Sequence, residues 1–241
     1  LINEETHKTY DRFRGRITFP IYNVSGKVMA WGARMLGKDK NQPKYINSPE
    51  GVLYDKSNSL YGLFQAKNAI RHADMCYLTE GYMDVVALAQ MGFGNAVATL
   101  GTACTPEHIH KLFRFTHNIV FSFDGDGAGR RAAKKALEAA LPYATDTRTL
   151  KFLFLPSEHD PDSFIREHGT DAFEAAVSQA TPLSQFLLDI ASLDVDLNLP
   201  EGRAHFLTQA KSLWQSLPDG ALKRQMLGQI SEQAHLGSTE V

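Results

Sequence analysis

"NIVFSFDGDGAGRRAAKKALEAALPY", residues 118–143, followed by "TLKFLFLP", residues 149–156, sets an apolar run, an acidic glycine turn, an alanine-rich basic stretch and a second apolar run in series. Short apolar runs flanking a helical stretch read as a strand–helix–strand unit. The same alternation runs upstream through "MCYLTEG" (75–81), "MDVVALAQMG" (83–92), "NAVATLG" (95–101) and "TPEHIHKLFRF" (105–115). Repeated β and α units predict an α/β fold with a doubly wound parallel sheet over residues 73–165. The run "FLFL" at 152–155 is uniformly apolar, as a strand covered on both faces should be.

Before this unit, "RITFPIYN" (16–23) and "KVMAWGARML" (27–36) read as strands joined by the hairpin turn "VSGK". Residues 1–72 form a basic β-rich module that ends in a turn-rich surface segment with lysines at 38, 40, 44 and 56. After residue 165 the chain reads as helices forming a small bundle over 166–241, with Phe206, Ala210, Leu213, Trp214 and Leu217 on one apolar face. No chemistry is apparent in these helices.

The 241 residues, 43% hydrophobic and 22% charged, suit a soluble globular chain of one large or two modest domains. No apolar run approaches the ~18 residues of a membrane span, and the opening Leu1-Ile2 carries no leader. The expectation is a piece of a larger cytosolic protein without membrane contact. Cys76 and Cys104 are too few and too far apart for a zinc ribbon or a disulfide framework, and are expected to be reduced and packed. Net charge is −2, yet residues 1–72 hold 12 lysines and arginines against 6 acids, while the remainder is strongly acidic. Such asymmetry suits a site that holds a polyanion on one side and divalent cations on the other.

In an open α/β sheet, ligands bind beyond the carboxyl ends of the strands, so the residues closing each apolar run decide the chemistry. These are Glu80 with Asp84, Asp124 with Asp126, and Asp160 with Asp162. Carboxylates sharing a small volume need a counter-cation, and an all-oxygen set favours Mg²⁺ or Mn²⁺ at one or two positions. No zinc is expected. An EF-hand starting at Asp124 fails because its twelfth position is Lys135. The glycines at 125, 127 and 129 do not match GxGxxG, and no GxxxxGK[ST] occurs. A haloacid-dehalogenase-like phosphatase stays open, although it leaves Glu80 and the basic module unexplained. The glycines flanking the two aspartates read as room for backbone to approach a ligand. His108, His110 and His159 read as surface or packing histidines; Arg130 and Arg131 read either as phosphate contacts or as screens for the acids.

Together, "LTEGYMDVVAL", "TLGTA", "FDGDGAGRRAA" and "HDPDSF" resemble, in this order, the TOPRIM domain of bacterial DNA primases of the DnaG type. "YDRFRGRITFPI", "PKYINSP" and "LYGL" resemble the basic module that precedes it in that family. The resemblance implies a DNA-directed RNA polymerase, a nucleotidyltransferase of the primosome that makes short RNA primers on single-stranded DNA from ribonucleoside triphosphates during DNA replication. It implies Glu80, Asp84, Asp124, Asp126, Asp160 and Asp162 as metal-binding acids, with Glu80, Asp124 and Asp126 catalytic. Asp124 would be a bridging ligand, and Glu80 a ligand or general base. It further implies that Arg12, Arg14, Arg16, Arg34, Lys44 and Lys56 line the groove for template and nucleotide. Tyr45 and Tyr54 are candidates for base stacking, while Trp31 is expected to pack in the core. A zinc-binding domain and a helicase-binding domain of the family are expected to lie outside this chain, which would act in the cytoplasm, at the nucleoid and the replication fork. The alternatives are a TOPRIM nuclease or topoisomerase-like enzyme, and a non-catalytic metal-stabilised nucleic-acid-binding module.

Overall fold

The computed structural model describes residues 7, 9–37 and 41–236; Lys38 and Lys40 of the expected basic segment lie outside them. Strands β1 (Arg16–Tyr22) and β2 (Val28–Met35) pair antiparallel, and β3 (Tyr45–Asn47) joins the other edge of β2. Asn23 holds the hairpin turn: its Oδ1 accepts from the N–H groups of Ser25 at 3.1 Å and Lys27 at 2.9 Å. Gly26 completes that turn with a φ of +88°, a conformation that favours glycine.

Next comes α1 (Leu63–Ala73), a helix absent from the sequence reading. Its buried residues Leu63, Ala66 and Ile70 recur at helical spacing, but Gly62, at φ +81°, and the turn residues before it mask the start. The main unit follows as β4 (Cys76–Thr79), α2 (Tyr82–Gln90), β5 (Ala96–Ala98), α3 (Pro106–Leu112), β6 (Asn118–Phe123), α4 (Gly127–Ala140) and β7 (Thr149–Phe154). The chain then forms α5 (Pro161–His168), α6 (Thr170–Ser178), the two-residue β8 (Thr181–Pro182), α7 (Leu183–Ala191), α8 (Pro200–Gln215) and α9 (Ala221–Gln233).

The second sheet has the order β5-β4-β6-β7-β8. Its first four strands are parallel, as the alternating pattern over 73–165 predicts, and β8, beyond that span, adds an antiparallel edge to β7. Pro182 has no N–H to extend the ladder, so this short strand blunts the edge. Side chains alternate between two cores. Leu78, Ile119, Phe121 and Phe152 pack with α1, α3, α4 and α7, whereas Tyr77, Val120 and Leu153 pack with α2, α5 and α6. A third cluster joins the sheets through Ile21, Ala30, Tyr54, Tyr61, Tyr82 and Val85. Phe206, Ala210, Leu213 and Leu217 are buried, and Trp214 donates from Nε1 to the Lys223 carbonyl at 2.8 Å. Both cysteines are free and buried, and among the described residues no helix is long and apolar enough to cross a membrane.

Two aromatics differ from expectation. Trp31 is 41% exposed on β2, because its neighbours Ala30 and Gly32 take the inward face; Tyr54 is 3% exposed inside the inter-sheet cluster, where no base can stack on it.

The glycines of the acidic turn serve the chain's own packing. A β-carbon on Gly129 would overlap the Asp124 carbonyl oxygen, and one on Gly125 would overlap the carbonyls of Leu155 and Pro156. On Gly127 it would meet only the Arg131 guanidinium, at 3.5 Å. Gly129→Ala should therefore cost about 2–3 kcal/mol through overpacking, and Gly127→Ala less than about 1 kcal/mol. Urea unfolding of the two variants checks the contrast.

Candidate metal and nucleotide site

Chain order reverses at β4, which has β5 on one side and β6 on the other, so the ends of β4, β6 and β7 form adjacent corners of one sheet edge. Neighbouring strands are ~4.8 Å apart, which brings the residues closing them into each other's field. Glu80 follows β4, Asp124 follows β6, and Asp160 caps α5 after β7. Asp84 stands in the first turn of α2, where its Oδ2 accepts from the Gly81 N–H at 3.1 Å. Asp126 caps α4 by accepting from Ala128 N at 2.9 Å and Gly129 N at 2.8 Å, and Asp160 accepts from Ser163 N at 2.7 Å. Helix amino termini offer these carboxylates partial positive charge, which locally offsets their crowding.

Electrostatics show how close that crowding is. Burial, then the charges of Asp124, Asp160 and Glu80, push the Asp84 carboxyl up to about 7 against the opposing Gly81 hydrogen bond. Glu80 is raised by burial and by Asp124 and Asp126, with the Asp124 N–H pulling the other way. Asp124 is raised by burial, then by Asp160 and Asp126. Glu80 Oε1 is buried with no hydrogen-bond partner among the described residues. An orphaned acceptor among mutually repelling carboxylates fits a hard divalent cation. Five of the six expected acids share this cluster. The sixth, Asp162, pairs instead with Arg166 one turn along α5, an i,i+4 geometry.

Glu80, Asp84, Asp124 and Asp160 line a cleft of about 540 Å³ together with Arg12, Lys44, Tyr45 and Lys56. Tyr45 is partly exposed, with the Lys44 ammonium 5.6 Å from its ring centre. Arg12, Arg14 and Arg16 line an adjoining groove of about 360 Å³. Arg16 is partly engaged there, donating to the Pro43 carbonyl at 2.8 Å. Arg34 lines neither space; its Nε is buried without a hydrogen-bond partner among the described residues. On the other side of Glu80, Arg131 and Lys135 line a second cleft of about 350 Å³, while the Arg130 guanidinium lies 5.2 Å from the Phe154 ring centre.

Sequence reasoning missed Asn47. Its carbonyl accepts from Arg12 Nε at 2.9 Å, its Nδ2 donates to the Leu100 carbonyl at 2.8 Å, and its Oδ1 accepts from the Tyr82 hydroxyl. One side chain on β3 thus joins the basic sheet to the acidic one. Its only mark in the sequence is its place inside "PKYINSP".

A carboxyl that titrates near 7 in the folded chain and near 3.8 in its ordinary state binds more protons folded than unfolded between those values. Metal-free stability should therefore fall as pH rises from about 4 to about 7. Asp84→Asn should flatten that slope, as should added Mg²⁺; urea midpoints measured with and without chelator test both.

Comparison with known proteins identifies the family. A family described as DNA primase catalytic core, N-terminal domain, matches residues 1–67, and a Toprim-like family, which implies divalent-metal binding, matches residues 77–165. A third, described as the DnaB-helicase binding domain of primase, matches residues 184–239 and corrects the expectation that such a segment lies outside this chain. The DNA primase of Pseudomonas aeruginosa is 48% identical over 231 residues, 95% of this chain but 34% of that protein's length. A crystal structure of a P. aeruginosa DNA primase domain is 46% identical, covers 99% of this chain and 74% of that one, and superposes with a TM-score of 0.93. A DnaG primase catalytic domain solved bound to single-stranded DNA is 44% identical, with coverage of 100% and 75% and a TM-score of 0.92. Over the whole span from basic sheet to carboxyl-terminal helices, the chain belongs to the DnaG-type family of bacterial DNA primases.

Proposed function

We propose that this chain is the nucleotidyl-transfer core of a primase, joining ribonucleoside triphosphates into short RNA primers on single-stranded DNA. The observation that supports it most is the single cleft lined by both the carboxylates and Arg12, Lys44 and Lys56. Mg²⁺ or Mn²⁺ held there would lower the pKa of a primer 3′-hydroxyl and neutralise the departing pyrophosphate. Glu80, Asp84, Asp124, Asp126 and Asp160 are the proposed ligands, with Asp124, between Glu80 and Asp160 in the strand order, as the bridging one. Asp162 has the weaker claim because Arg166 neutralises it.

Arg12, Lys44 and Lys56 are the proposed contacts to nucleotide phosphates. Arg14 and Arg16 extend the basic track for the template, giving salt-dependent and largely sequence-independent affinity. Arg34 would act by supporting that sheet, and Arg131, which lines a cleft with Glu80, is proposed to meet phosphate there. Division of labour follows the notional segments 1–72, 73–165 and 166–241, with the last offering a surface for a replicative helicase at a cytoplasmic replication fork. Tyr82 argues against a strand-passage enzyme. This tyrosine, which lines the cleft with the acids, is buried, bonded to Asn47, and held above its ordinary pKa chiefly by burial, so it is a poor nucleophile.

Asp124→Ala in the full-length protein should lower templated ribonucleotide incorporation at least 100-fold while leaving the circular dichroism spectrum unchanged. The chain itself should bind ribonucleoside triphosphates in Mg²⁺ and not in chelator. Undiminished incorporation by the variant, or metal-independent binding, would remove the proposed roles.

A further inference from the structure

His159, Glu167 and His168 bring three ligand atoms within 4.8 Å of one another, beside the acidic cleft but outside its lining. His159 is 8% exposed, just before α5, and its Nδ1 lies 3.2 Å from Ser163 Oγ. With Nδ1–H donating to that hydroxyl, Nε2 is left as the coordinating nitrogen. It faces His168 Nε2 at 3.4 Å and Glu167 Oε2 at 3.9 Å. Phe164 packs against both rings, its centre 5.7 Å from that of His159 and 4.8 Å from that of His168, while the two imidazole centres are 5.1 Å apart.

These distances fit a tetrahedral cation. Metal–nitrogen bonds of ~2.0–2.1 Å put adjacent ligands ~3.4 Å apart, the separation of the two imidazole nitrogens. Glu167 is exposed and closes its longer gap by a small side-chain rotation. Two imidazoles and a carboxylate suit a borderline ion such as Zn²⁺, whereas the all-oxygen cleft suits Mg²⁺ or Mn²⁺. We propose that His159, Glu167 and His168 form a second cation site of zinc-like preference that braces the segment carrying Asp160.

Connectivity gives the brace its effect. The His159 carbonyl accepts from the Gly125 N–H at 3.3 Å, between Asp124 and Asp126, and the next residue is Asp160. An ion on His159 would tie the carboxyl end of α5 to both acidic turns at once. This runs counter to the sequence reading, in which His159 is a packing residue and no zinc is expected.

Zn²⁺ titration of the chelator-stripped chain in excess Mg²⁺, followed by calorimetry and X-ray absorption, tests the site. One Zn²⁺ per chain should bind, with two imidazoles in its shell. His168→Ala, at an exposed position, should weaken binding at least about tenfold, Glu167→Gln should weaken it less, and Asp124→Asn should leave it intact. The proposal falls if no stoichiometric Zn²⁺ binds under excess Mg²⁺, which would leave only an imidazole–imidazole hydrogen bond. It also falls if binding survives His168→Ala and is lost in Asp124→Asn, which would place the ion on the acids.

Discussion

Repulsion among carboxylates at one sheet edge is the constraint on which the rest of this molecule depends. Glu80, Asp84 and Asp124 are each shifted upward by burial and by their acidic neighbours. A folded chain without a cation must either protonate these groups or bear their mutual charge. The surroundings reduce that burden without removing it: Asp84, Asp126 and Asp160 each accept backbone N–H groups at a helix amino terminus. Those caps fix where the carboxylates point, and leave Glu80 Oε1 buried without a hydrogen-bond partner among the described residues.

Geometry of the backbone makes the cluster possible. Gly125 passes against the carbonyls of Leu155 and Pro156, and Gly129 lies on the Asp124 carbonyl, so the turns after β6 and β7 are locked together. The His159 carbonyl adds a third tie to Gly125. The basic sheet is fastened across from this edge by Asn47, which contacts Arg12, Leu100 and Tyr82 at once. Acidic and basic side chains therefore share one cleft, a charge pattern that would suit a polyanion together with a cation.

Much of this was legible in the sequence because strand ends and turn acids leave local signals. The alternation through "CYLTEG" and "FSFDGDG" marks where β4 and β6 stop, and strand-end logic then places Glu80 and Asp124 side by side. What was not legible depends mostly on partners remote in sequence. Asp160 and Asp162 are told apart only by local signals that are easily passed over, the cap of Asp160 before Pro161 and the i,i+4 ion pair of Asp162 with Arg166. Tyr54 and Trp31 exchange their expected environments because inter-sheet packing decides which aromatic turns inward. Gly125 and Gly129 look like room for a ligand until the chain's own carbonyls are seen filling that room.

If a divalent cation completes the carboxylate cluster, its position can be seen. Anomalous scattering from a crystal grown with Mn²⁺ should show density bridging Asp124 to Glu80, with Asp84, Asp126 or Asp160 completing the shell. An occupied Mn²⁺ elsewhere on the protein, with Glu80 and Asp124 bare, would contradict the account.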